Sequence, residues 1–384
     1  MIRHERLKAL LLELIRIDSL SRRERDIALR LKRELESIGA EVRIDDAGEK
    51  VGGNVGNLIA RIPGTAPAAP PFLLSAHMDT VVPGEGVRPV IEGDIIRSDG
   101  TTVLGGDDKS GLALICEVIR SLAEHNIARG DLEVVFTICE EVGLLGAKHL
   151  DTTQLKARRG LVLDSEDVGS LFTRAPAADR MEFLVHGLEA HAGVCPERGI
   201  SAIRVASQAI AGMRLGRIDR ETTANVGLIQ GGLATNIVPP MVLVKAEARS
   251  HDEGKLRAQT EHMRRCFEEA AAVAQLELNG VHHTAWVEAQ VQRDYPRMAV
   301  SDGAPIVRLV MEAANALGYE VKTMATGGGC DANIFNSNGI ETANLGTGMQ
   351  AIHTLKESLN VHELCKSAKI VFEAVRLNAA RKAD

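Results

Sequence analysis

The chain has 384 residues, a net charge of −7, and 45% hydrophobic against 25% charged residues. That is material for two modest soluble domains, or one large domain carrying an insertion. The acidic balance and the absence of a Lys/Arg-rich block exclude a nucleic-acid partner, and no run of about 18 apolar residues exists to span a membrane.

The N-terminal stretch MIRHERLKALLLELIRIDSL repeats its apolar residues at helical spacing, and Lys8 and Glu13 interrupt any signal-like core. A second amphipathic helix, RRERDIALRLKRELESIGA, stops at Gly39. Strands follow at EVRIDD, GNLIARI and FLLSAHMDT, with a Pro/Ala-rich loop before the third. GDDKSGLALICEVIRSLAEHN leads from a loop into a largely buried helix, and DLEVVFTICEE and ARRGLVLDSED are again strand-like. Val/Ile/Leu-rich strands alternating with helices predict an α/β domain with a mostly parallel sheet.

Near residue 180 the pattern changes to strand, helix, two strands, helix and strand, the βαββαβ order of a ferredoxin-like α+β unit. After about residue 300 the α/β character returns. The expected organisation is therefore an α/β domain of residues 1–178 and 294–384, with a second domain of residues 179–293 inserted in it. The six cysteines are scattered without a CxxC pair, as expected of reduced thiols in a cytoplasmic protein.

In an open α/β sheet, ligands bind beyond the carboxyl ends of the strands. Here PFLLSA runs into His77-Met78-Asp79, VVFTIC into Glu140-Glu141, and RRGLVL into Asp164. Asp107-Asp108 opens the buried helix, and His353 follows the loop NLGTGMQAI. Taken singly, each residue has a structural reading: a hydrogen bond, a helix cap or a solvated turn. Together, several carboxylates and two histidines at strand ends suit a cluster of divalent ions. A co-catalytic pair of ions needs one carboxylate left off the metals to take a proton from the attacking water.

The ordered motifs SAHMDTV, LGGDDKSGLA, CEEVGLLGA, VLDSEDVG and NLGTGMQAIHTLKE resemble those of the peptidase T / carboxypeptidase G / acetylornithine deacetylase superfamily of two-metal enzymes, most of all its peptidase T-like branch. The resemblance covers nearly the whole chain, insertion included. It implies that Asp107 bridges two ions, with His77 and Asp164 completing one site and Glu141 and His353 the other. Asp79 would orient His77, Glu140 would be the general base acting on a metal-bridging water, and the Asp107–Asp108 peptide would be cis. Two Zn2+ ions are the expected cofactors, with Co2+ or Mn2+ as alternatives.

In the insertion, His191, Asn236 and Arg249 resemble substrate-contacting positions. His191 would stabilise an oxyanion across a homodimer interface formed by the lid, and Arg249 would bind a substrate carboxylate. The turn GGGCDAN resembles a pocket lining. His186, His282, His283 and His362 read as structural.

Rival chemistries fit poorly. GGDDKSG superficially matches a phosphate-binding loop, but Asp108 stands where glycine is needed before Lys109. No G-x-S-x-G elbow occurs, and Cys330 has no evident base. The expected activity is a metal-dependent exopeptidase, an aminopeptidase of tripeptidase type acting on small peptides. The alternative is a two-metal amidohydrolase, deacylase or carboxypeptidase acting on N-acyl amino acids.

Overall fold

A computed structural model describes residues 2–381. Its packing divides the chain into two units. Among the described residues, one comprises 2–175, 298–326 and 330–381, and the other comprises 176–297 with 327–329.

The first unit is built on a nine-stranded sheet whose centre is parallel. The strands Leu132–Thr137, Phe72–His77, Arg159–Val162 and Glu341–Leu345 lie side by side in that order. Every residue of Phe72–His77 and Leu132–Thr137 is buried, as expected when helices cover a parallel sheet and no face meets water. Antiparallel strands complete both sides: Leu58–Ile62 and Glu41–Ile44 beside Leu132–Thr137, and Ser170–Ala175 beside Glu341–Leu345.

The helices bury the faces that their sequences dictate. His4–Ile15 turns Leu7, Leu10, Leu11 and Leu14 inward at helical spacing. Its Arg6 guanidinium donates to the buried Glu117 carboxylate at 2.5 Å, anchoring this helix to Gly106–Glu124. Arg25–Ser37 ends where Gly39 adopts a φ of +85°, a conformation that glycine takes without steric cost.

Besides Ser170–Ala175 and the two-residue Met298–Ala299, two strands of this sheet escape the sequence pattern, Glu341–Leu345 and Lys322–Ala325. Neither offers an apolar run: Thr342 and Asn344 interrupt the first, and the second is four residues on the sheet margin. Burial on both sides makes Glu341–Leu345 a strand despite its weak local signal.

The second unit holds a five-stranded antiparallel sheet. Its four long strands stand in the order Thr222–Gly231, Met241–Ser250, Ala177–His186 and Trp286–Tyr295. With helices Ala202–Ala211 and Glu253–Val273, this is the split βαβ topology expected of a ferredoxin-like unit. Both helices start on side-chain caps: Ser201 accepts the Arg204 amide, and Asp252 accepts the Lys255 amide at 2.8 Å. Phe183 of the sheet stacks on Phe267 of the long helix, with ring centroids 4.2 Å apart, at the centre of this unit's own core. Among the described residues, no helix is long and apolar enough to cross a membrane.

Candidate active site

The parallel strands of the first unit deliver their terminal side chains to one edge of the sheet. His77 is paired in register with Thr137, so the segments Met78-Asp79 and Ile138–Glu141 leave the sheet together. The Met78 amide continues the ladder to the Thr137 carbonyl at 2.8 Å. Asp164 lies two residues beyond Val162, and an amide pairing with Asn344 on the next strand holds its main chain. The Asp164 amide donates to Asn344 Oδ1 at 2.9 Å, and Asn344 Nδ2 donates back to the Asp164 carbonyl.

The helix Gly106–Glu124 contributes Asp107 and Asp108 from a first turn whose backbone is non-helical at both residues, and the peptide between them is cis. Asp107 presents one oxygen to each of two imidazoles. Oδ1 is 3.0 Å from His77 Nε2, and Oδ2 is 3.1 Å from His353 Nε2. His353 Nε2 also meets Glu141 Oε1 at 2.8 Å, and His77 Nε2 lies 3.9 Å from Asp164 Oδ1. His77, Asp107, Glu141, Asp164 and His353 therefore come together around Asp107.

These separations suit shared cations. Ligand atoms about 2.0–2.1 Å from a tetrahedral ion stand about 3.3 Å from one another. Among the described residues, two sets of ligand atoms fall within 4.8 Å of each other, His77/Asp107/Glu141 and His77/Asp108/Asp164, and neither includes Glu140 or His353. Asp108 fits a scaffolding role better than a ligand role, because its oxygens already accept the His77 amide at 3.2 Å and the Gly111 amide at 3.1 Å.

Asp79 relates to its neighbours differently from the sequence expectation. Its main-chain carbonyl, not its carboxylate, makes the short bond to His77 Nδ1, at 2.9 Å against 3.5 Å. That bond still leaves Nε2 directed at Asp107. The carboxylate instead accepts the amides of Glu140 and Glu141, at 2.9 and 3.2 Å, and the Ser21 hydroxyl at 2.7 Å.

The electrostatics describe a pocket short of positive charge. Burial, reinforced by neighbouring acids, pushes the Glu140 and Asp164 carboxyls well above their ordinary range, and burial also raises Glu141. Asp107 resists the same burial because bonds to His353 and His77 hold it low. His353 is lifted to about 10 by its bonds to Asp107 and Glu141. Burial opposes charge on His77, yet Asp107 and Asp79 still raise it. Divalent cations at Asp107 would supply the charge that protons on the two histidines supply otherwise.

Of the three candidate substrate contacts, all in the second unit, His191 and Asn236 are neighbours. The short strands Ala190–His191 and Ile237–Val238 pair, and the Asn236 carbonyl accepts the Ala192 amide at 2.9 Å. His191 Nδ1 accepts the Gly193 and Val194 amides at 3.2 and 3.1 Å, which leaves Nε2 as the donor of a neutral ring. Arg249, on Met241–Ser250, forms a bidentate pair with Glu247 at 3.0 Å for each bond. Gly329, from the glycine-rich turn, packs so closely on the Tyr295 ring that a Cβ there would stand 2.3 Å from it. Burial drives the Cys330 thiol well above its ordinary range, which disfavours a thiolate nucleophile.

Three supporting residues have no role assigned from the sequence, although Asn344 and Glu357 are the first and last residues of NLGTGMQAIHTLKE. Glu24, within a run of charges, is fully buried and accepts the Cys139 amide at 3.0 Å. Glu357 accepts amides at the start of the Asp107 helix. Asn344 lies in the weakly marked strand. Their partners are distant in the chain, so no local pattern points to them.

Residues 73–377 match the family described as peptidase family M20/M25/M40. The chain is 44% identical to the uncharacterized protein YqjE of Bacillus subtilis, over 97% of this chain and 98% of that one. The crystal structure of aminopeptidase PepT from Bacillus cereus is similar at 41% identity, with a TM-score of 0.86 and coverage of 99% of this chain and 100% of that one. A tripeptidase from Staphylococcus aureus is similar at 38% identity, with a TM-score of 0.91 and the same coverage.

Proposed function

Because the chain belongs to peptidase family M20/M25/M40, we propose that it is a metal-dependent exopeptidase that releases the N-terminal residue of short peptides, tripeptides among them. The observation that carries this reading is Asp107, whose two oxygens face His77 and His353 separately, with Glu140 buried beside Glu141. The likeness to an aminopeptidase and a tripeptidase at about 40% identity favours peptides over N-acyl amino acids.

In this reading His77, Asp107 and Asp164 would hold one divalent ion, and Asp107, Glu141 and His353 would hold a second. Zinc is the expected metal. When bound, such ions polarise the scissile carbonyl and lower the pKa of a shared water from 15.7 toward about 7. Glu140 would take a proton from the attacking water and return it to the leaving amine as the C–N bond breaks. Its burial, which raises the carboxyl above its ordinary range, suits a group that accepts and returns a proton. Asp79 holds Glu140 and Glu141 in place through their amides.

His191 donates from Nε2 to the developing oxyanion, Asn236 contributes beside it, and Arg249 receives the substrate's carboxylate once Glu247 releases it. A homodimer through the inserted unit belongs to the same reading, supported by Met241 and Trp286, half-exposed apolar side chains that both stand opposite His186 on one face of its sheet. So does a cytoplasmic location, supported by six free cysteines.

The test is a panel of dipeptides, tripeptides, N-blocked tripeptides and N-acyl amino acids, assayed with and without a chelator. Chelator-sensitive cleavage of unblocked tripeptides is expected. Cleavage of the blocked substrates alone would replace this reading with a deacylase, and chelator-insensitive cleavage would remove the metals from it.

A further inference from the structure

His353 lies on an exposed loop, where it and Ala351 both adopt a left-handed backbone, with φ of +61° and +51°. Asp107 sits nearly buried at the start of a helix on the other side of the site. Catalysis through a shared ion needs these two residues held to within a fraction of an ångström. Exposed loops are not held to that tolerance by local bonding alone.

Glu357 is four residues after His353 and is 1% exposed. Its Oε2 accepts the amides of Leu104 and Gly105 at 2.7 and 3.0 Å, and its Oε1 accepts that of Asp107 at 3.1 Å. The amides at a helix start have no partners within the helix, and here a carboxylate from 250 residues away supplies them. Glu357 is also fixed within its own loop. Its amide donates to the Thr354 carbonyl at 3.1 Å, and Thr354 Oγ1 donates to Ala351 at 2.7 Å. One side chain thus joins the turn that aims Asp107 to the turn that carries His353. The close approach also relies on Gly106, where a Cβ would stand 3.1 Å from Glu357 Oε1.

We propose that Glu357 is a positioning residue that sets the Asp107–His353 separation, and with it the affinity of the ion those two residues share with Glu141. This rests on the two-metal reading above.

The experiment titrates Zn2+ into metal-free wild-type protein and into Glu357→Gln and Gly106→Ala by calorimetry, with kcat and thermal midpoints measured alongside. Glutamine keeps the volume but puts an NH2 group where an acceptor stood. The added methyl in Gly106→Ala leaves the carboxylate intact and displaces it.

The expected result is that both variants bind one ion within threefold of wild type and the other at least tenfold more weakly. Turnover should then return toward wild type as Zn2+ is raised, a rescue that a merely structural role would not give. Unchanged affinities at both sites, or equal weakening at both together with a lowered midpoint and no rescue by metal, would overturn the proposal while leaving the two-metal reading intact. A wild-type protein that takes up fewer than two ions would overturn both.

Discussion

Oδ1 of Asp79 accepts the amide hydrogen of Glu140 at 2.9 Å, so the aspartate beyond one strand fixes the backbone of the glutamate beyond the next. Oδ2 does the same for Glu141 at 3.2 Å. The Glu-Glu doublet is thereby held by main-chain bonds, which leaves its side chains free for different tasks. Asp79→Asn turns one of these acceptors into a donor facing a donor, and leaving a buried amide unpaired costs about 1–3 kcal/mol. The expected outcome is a kcat lowered by about 10–100-fold, of the size seen when support of a metal site is removed. Bound metal should stay near wild type when measured by elemental analysis.

The two glutamates should separate cleanly under substitution. Glu140→Gln retains volume and polarity but cannot take a proton, so kcat should fall by about 10²–10⁴-fold with little change in metal affinity. Glu141→Gln removes a charge that faces His353 at 2.8 Å, and should weaken binding of one of two ions. Side-by-side metal titrations and single-turnover assays decide it. Equal metal affinities in the two variants would contradict the division of labour.

Much of this arrangement is legible in the sequence, for a physical reason. The parallel sheet shows itself through strands with apolar runs, and its functional side chains follow directly on them, as His77 follows PFLLSA and Glu140 follows VVFTIC. The supporting bonds are illegible because they bridge distant segments. Glu140 and Asp79 are 61 residues apart, Cys139 and Glu24 are 115 apart, and Leu104 and Glu357 are 253 apart. The strand Glu341–Leu345 escapes because its stability comes from burial between neighbours and not from its own residues.

Metal removal should also change how stability depends on pH. His353 is raised from 6.5 to about 10 by Asp107 and Glu141. A raised folded-state pKa gives stability that is complete below pH 6.5 and is lost as pH climbs through 10. The buried Glu140 and Asp164 act with the same sign, beginning just above their ordinary carboxylate values. Chelated protein should therefore melt at progressively lower temperatures from pH 6.5 to 10. Metal-loaded protein, in which cations replace those protons, should show a flatter profile by scanning fluorimetry, and so should metal-free His353→Gln over the upper part of the window. Parallel profiles with and without metal would count against cation binding at this position.

The helix that carries Asp107 packs against the segment leading into Asp164 at Gly111, which leaves no room for a side chain. A Cβ on Gly111 would stand 2.4 Å from the Leu163 carbonyl and 2.6 Å from Asp108 Oδ1. The first obstacle is backbone immediately before Asp164. The second is the carboxylate that accepts the Gly111 and His77 amides. Neither can yield without moving a residue of the site. Gly111→Ala gains about 1 kcal/mol in helix propensity, but overpacking a buried contact costs about 1–3 kcal/mol or more. Since both obstacles are rigid, the steric term should win. The variant is expected to unfold at lower denaturant concentration than wild type, with an unchanged slope, and to bind metal more weakly because Asp108 and Asp164 shift together. A midpoint at or above that of wild type would mean that the helix can slide along the sheet, and that the spacing of Asp107 from Asp164 is not set by this contact.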